Sequence, residues 1–130
     1  MGNKSQKHNL RYTEILENLR HYCAYRERCL QEVGAKLKDL QVKDRTSERI
    51  INELIKENFI NEKRYAEVFT RGKFRINKWG KLKITAELKM RNIPEKYILA
   101  GLLEIDDDEY QKTLRSLIEK KSESVFPSTL

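Results

Sequence analysis

Cysteine, proline and glycine are all scarce here: two, two and five in 130 residues. The two cysteines, Cys23 and Cys29, are six positions apart and so fall on different sides of a helix. They supply neither a zinc framework nor a disulfide scaffold, and read as reduced thiols of a cytosolic protein. With so few prolines, no glycine-rich run and no alternating apolar pattern, a substantial sheet and a phosphate-cradling loop are both excluded. No segment approaches the roughly 20 apolar residues of a membrane span, and residues 1–9 are polar, without the apolar centre of a signal peptide. His8 and His21 have no partners at metal-ligand spacing. No Ser-His-Asp or paired-His arrangement occurs. At 38% hydrophobic and 36% charged residues, the chain has little material for a deep core or a catalytic cavity. The expectation is a soluble cytoplasmic monomer with no enzymatic activity, no cofactor and no metal.

What the chain has is a repeat. Residues 33–42 (VGAKLKDLQV) lie over residues 84–93 (ITAELKMRNI), pairing Val33 with Ile84, Leu37 with Leu88 and Val42 with Ile93. Upstream, residues 12–16 (YTEIL) match 65–69 (YAEVF). Downstream, Ile50, Ile51 and Leu54 match Ile98, Leu99 and Leu102. A period near fifty residues marks small helical units stacked in tandem, an architecture that presents surfaces rather than enclosing pockets.

The apolar spacing predicts helices nearly throughout: Tyr12, Ile15, Leu16 and Leu19; then Ala35, Leu37 and Leu40; then Ile50, Ile51, Leu54 and Ile55. Asn61 is an N-cap for the first helix of a second unit, and Asn92 a left-handed stop for its second. Pro94 suits the first turn of the third. Asp106 with Glu109 resembles a capping box for one more helix. The fold class is all-α: tandem three-helix repeats in an elongated, curved array. The expected organisation is a flexible N-terminus over 1–9, a first unit over 10–60, a second over 61–105, the first helix of an incomplete third over 106–121, and a flexible tail over 122–130.

The charge is concentrated. Residues 64–91 hold nine basic and two acidic side chains, a surplus equal to the +7 of the whole chain. Such a block favours a polyanion or an acidic protein face, because the cations repel one another until a partner neutralises them. The ordinary alternative is a solvated helix face, since Lys83, Glu87 and Arg91 stand at i,i+4 spacing. Trp79 reads as a recognition aromatic or, more ordinarily, as a plug between helices; Tyr65 and Phe69 read as core.

Residues 58–69 (NFINEKRYAEVF), 78–80 (KWG) and 83–93 (KITAELKMRNI) resemble the central module of the RecX family, bacterial regulators of the RecA recombinase. That module joins an aromatic-alanine helix, through a Trp-Gly turn, to a basic helix of the form R-I-x-x-E-L-x-x-x-G-I. Here Lys83 replaces the usual Arg and Asn92 stands where Gly is common. Residues 23–37 (CAYRERCLQEVGAKL) are similar to the family's first module, with Arg26, Arg28 and Glu32 in matching places. Residues 106–121 resemble only the first helix of a third.

The resemblance implies a binding protein that lies in the groove of the RecA filament on single-stranded DNA. There it would restrain filament growth, ATPase, strand exchange and coprotease action. Candidate contacts to RecA or DNA are Arg26, Arg28, Arg71, Lys73, Arg75, Lys78, Lys81, Lys83, Lys89 and Arg91. The alternative is a small basic helical DNA-binding protein independent of RecA. It is disfavoured because the third helices, near 48–57 and 95–104, look acidic or apolar at most outward positions. Weak, non-specific binding to single- or double-stranded DNA fits either reading.

Overall fold

The structure, a computed structural model, describes the backbone of residues 3–125 and the side chains of residues 11–120. Among the described residues there are seven helices and no strand: α1 (Asn3–Tyr25), α2 (Leu30–Asp39), α3 (Asp44–Lys56), α4 (Glu62–Arg75), α5 (Lys81–Met90), α6 (Glu95–Leu102) and α7 (Asp107–Val125). None of them is long and apolar enough to cross a membrane. The chain divides into two compact units, Met1–Tyr65 and Ala66–Leu130.

Of residues 1–9, expected as a flexible terminus, residues 3–9 lie in α1. No proline or glycine interrupts residues 3–25, and α1 takes in Asn3 onward as one helix. Likewise α7 runs through Val125, past the expected end at 121, while residues 126–130 of the expected tail lie outside the described residues.

In the first unit, Leu16, Leu19 and Cys23 of α1, Val33 and Leu37 of α2, and Ile50 and Leu54 of α3 form one buried cluster with Ile60. The spacing on each helix puts its apolar residues on a single stripe, so three stripes close on one small core. The two cysteines are buried packing residues, and burial pushes the Cys23 thiol up to about 11, which leaves it inert as a thiolate. In the second unit the buried positions are Ala66, Thr70 and Phe74 of α4, Ile84 and Leu88 of α5, Ile98 and Gly101 of α6, and Ile93 and Ile105 outside them.

The divide falls inside α4 rather than at residue 60. Its first turn is bound to the first unit: Leu30 N–H donates to Glu62 Oε2 at 3.2 Å, and Arg64 Nε to the Glu27 carboxylate at 2.7 Å. Buried Tyr65 donates to Glu32. Burial pushes the Glu32 carboxyl up, but hydrogen bonds from Tyr65 and Cys29 outweigh it and hold that carboxyl below the usual value.

The repeat is visible in the backbone. Gln41 and Asn92, 51 positions apart, both have φ of 59°. Each ends its helix with the same two bonds. Gln41 N–H reaches Lys38 O at 2.9 Å and Val42 N–H reaches Leu37 O at 3.0 Å; Asn92 and Ile93 bond Lys89 O and Leu88 O at 2.9 and 3.1 Å. This is the Schellman closure, which satisfies carbonyls the helix end leaves open. Asn58 closes α3 the same way. The capping residues also act as expected: Asn61 Oδ1 accepts from Arg64 N–H at 2.9 Å, and Asp106 Oδ1 from Glu109 N–H at 3.0 Å.

The register of the first helices differs from the sequence match. Pairing residues 12–16 with 65–69 would set Cys23 opposite Ile76, which is 81% exposed. Burial instead follows the 51-residue period of α2 and α5, so that Leu19 corresponds to Thr70 and Cys23 to Phe74. Residue class alone misplaced α4 by two positions, because Tyr65 is buried through its bond to Glu32 whereas Tyr12 lies half-buried under Arg49.

Close approach of α4 and α6 depends on Gly101. A Cβ there would stand 2.8 Å from the Ala66 carbonyl oxygen and 2.9 Å from Thr70 Oγ1, whereas one at Gly34 in α2 meets nothing within 4 Å. Gly101→Ala is therefore expected to destabilise the protein by about 2 kcal/mol through overpacking. Gly34→Ala should stabilise it by about 0.5–1 kcal/mol through helix propensity. Urea unfolding followed by circular dichroism checks both signs.

Candidate basic interface

The basic block occupies the end of α4, the turn after it and α5. Lys73 and Arg75 lie in the last turn of α4, where cations complement the exposed carbonyls. The chain then turns at Lys78, whose φ is 59°, and Trp79 N–H returns to Lys73 O at 3.1 Å. Gly80 is the N-cap of α5, and Tyr110 of α7 packs beneath the turn, 6.0 Å from the Phe74 ring centre.

At the centre are two half-buried rings. Phe69 and Trp79 meet edge to face, with centroids 6.2 Å apart and planes inclined at 66°. Lys73 Nζ lies 4.9 Å from the Trp79 centroid and 5.6 Å from that of Phe69. Lys83 Nζ lies 4.4 Å from Trp79, and Arg91 Cζ 4.8 Å from Phe69. The negative faces of the rings hold these cations close together, each contact contributing about 0.5–1 kcal/mol at such exposed sites.

The other predicted residues divide by what they touch. Arg71 Nη1 pairs with Glu104 at 3.2 Å, and Lys81 Nζ with Asp107 at 3.7 Å while lying 4.7 Å from the Tyr110 ring. Arg91 donates to the Glu87 carbonyl and carboxylate at 2.9 and 3.0 Å, realising one of the two i,i+4 pairs open to Glu87. Arg75, Lys78, Lys83 and Lys89 are exposed, and among the described residues none of the four forms an ion pair with a carboxylate. Arg26, in the first unit, is exposed and reaches Glu32 at 3.2 Å.

Arg28 requires correction. It is only 7% exposed, with Nε donating to the Tyr22 carbonyl at 2.9 Å and Cζ 3.7 Å above the Tyr22 ring. A guanidinium so engaged braces the α1–α2 turn. Phe69, expected in the core, is instead part of the half-buried ring pair. Trp79 is half-buried, at once plug and surface. The outward face of α3 also differs from expectation, since it exposes Arg49, Asn52 and Lys56 alongside Glu48 and Ile55. The face of α6 exposes Glu95, Lys96 and Leu99 and offers no amide for base reading.

The family model described as RecX, second three-helix domain, matches residues 61–102, which span α4 to α6. Regulatory protein RecX of Bacillus cereus strain G9842 is 28% identical over 103 residues, covering 79% of this chain and 38% of that protein. The Bacillus cytotoxicus protein of the same name is 30% identical over the same share. The crystal structure of RecX from Lactobacillus salivarius superposes with a TM-score of 0.75 at 27% identity, over 84% of this chain and 71% of that one. These matches in sequence and fold support the RecX family. A second crystal structure of a regulatory protein RecX shares the fold, with a TM-score of 0.77 at 20% identity over 84% of this chain and 55% of the other. The chain spans a little over a third of the length of the curated RecX relatives it matches.

Trp79 is the single tryptophan, so its fluorescence reports on this cluster alone. With Lys73 and Lys83 at its faces, iodide should quench it more strongly than caesium at equal concentration. The difference should shrink in Lys83→Ala and in high salt, where the lysine charge is removed or screened.

Proposed function

We propose that this protein is a non-catalytic negative regulator of RecA. In this reading it binds as a cytoplasmic monomer in the groove of the RecA–single-stranded DNA filament and restrains growth, ATPase, strand exchange and coprotease activity. That places it in homologous recombination and the SOS response. One observation carries the reading: residues 61–102, matched by the RecX family model, present Arg75, Lys78, Lys83 and Lys89 with no carboxylate partner among the described residues, beside a cation-flanked ring pair. Cations held without counter-charges favour a surface that brings its own anions, whether acidic side chains or filament-bound phosphates. Engaging two RecA subunits at once would raise the effective concentration of the second contact. Independent, sequence-specific DNA reading fits less well, because α6 exposes no amide or arginine toward a groove.

The test is the single-stranded-DNA-dependent ATPase of RecA. The protein should inhibit it at well under one molecule per RecA subunit while binding free oligonucleotide only weakly. Replacing Arg75, Lys78, Lys83 and Lys89 together by Glu should reduce potency at least about tenfold and flatten its salt dependence. Unchanged potency would remove the block from the mechanism; tight binding to free DNA without inhibition would favour the nucleic-acid reading.

A further inference from the structure

A second positively charged site lies in the first unit, apart from the residues assigned above. Between α1 and the start of α3 there is a cleft of about 330 Å³. Tyr12, Ile15 and Val42 give it an apolar floor, and Arg11, Lys43 and Arg49 stand around it; no carboxylate is among its lining residues. Among the described residues none of these three cations forms an ion pair, so the site combines apolar concavity with uncompensated positive charge. The size is within the range of clefts that take a small ligand or an anchoring side chain.

We infer that this cleft binds an acidic peptide segment of a partner protein, an apolar side chain seated on Tyr12, Ile15 and Val42 with flanking Asp or Glu carboxylates on Arg11, Lys43 and Arg49. A nucleic-acid strand suits it less. The Tyr12 ring, the aromatic among the lining residues, has the Arg49 guanidinium 4.5 Å from its centroid, so a base stacking on that face would have to displace it, whereas an apolar side chain can rest against the ring edge, Ile15 and Val42. Phosphates would leave the apolar floor unfilled, whereas an aliphatic or aromatic residue between two carboxylates uses both features. The inference does not depend on regulation of RecA, and its test contains no recombinase.

Isotope-labelled full-length chain would be titrated, with amide shifts followed by NMR, against three probes: a short synthetic peptide of Asp and Glu around a central Leu-Phe pair, polyglutamate, and oligothymidylate. The peptide should produce saturable shifts at Tyr12, Ile15 and Val42, and Arg11→Gln and Arg49→Gln should each weaken its binding about tenfold. Both arginines are exposed, so both variants should keep the helical spectrum. Equal shifts from polyglutamate would reduce the site to surface charge, and oligothymidylate acting at these amides would reassign it to nucleic acid. No shift with the peptide, or undiminished binding in both variants, would overturn it as well.

Discussion

The left-handed residues Gln41 and Asn92 close α2 and α5 with the same pair of hydrogen bonds, and each turn delivers the next apolar side chain, Val42 or Ile93, back toward its own unit. That closure is the constraint on which the rest depends. With helices of ten residues and a core of single stripes, a stop displaced by one residue would rotate the following helix's apolar face away from its partners. Neither position is glycine, so the backbone conformation costs about 1 kcal/mol at each. The packing that follows must offset it. Asn tolerates this conformation better than Gln, and it recurs at Asn58, where α3 ends.

From that scaffold follows the character of the surface. A chain with so little apolar material cannot cover its rings completely, and the second unit leaves Phe69 and Trp79 half-exposed, with lysines and an arginine against their faces. Ring faces tolerate cations that carboxylates would otherwise have to neutralise, so the block stays basic overall. Three of its members are nonetheless tied to carboxylates: Arg71 to Glu104, Lys81 to Asp107 and Arg91 to Glu87. The balance yields a rigidly mounted set of cations with a smaller subset free for a partner.

Features set by local chemistry were legible in the sequence. The caps Asn61 and Asp106 and the stop at Asn92 are each decided by residues within one or two turns of one another, and the 51-residue period is the recurrence of such a local pattern. What was not legible depended on distant partners. Arg28 matches a family position and looks like part of a basic surface, yet the Tyr22 ring and carbonyl bury it. Tyr12 and Tyr65 share a residue type but not an environment, because only Tyr65 meets Glu32. Phe69 has the spacing of a core residue, yet it is only half-buried, and its cover comes from Trp79, which arrives beside it after the turn. The cleft of the first unit joins residues about thirty positions apart, none of which stands out in the linear sequence.

The central claim is that the end of α4, the Trp79 turn and α5 form the face that meets the RecA filament. Hydrogen exchange of this protein, followed by mass spectrometry with and without RecA assembled on single-stranded DNA, tests it directly. The account predicts slowed exchange concentrated in residues 71–91. Slowed exchange elsewhere with those residues unchanged would contradict it.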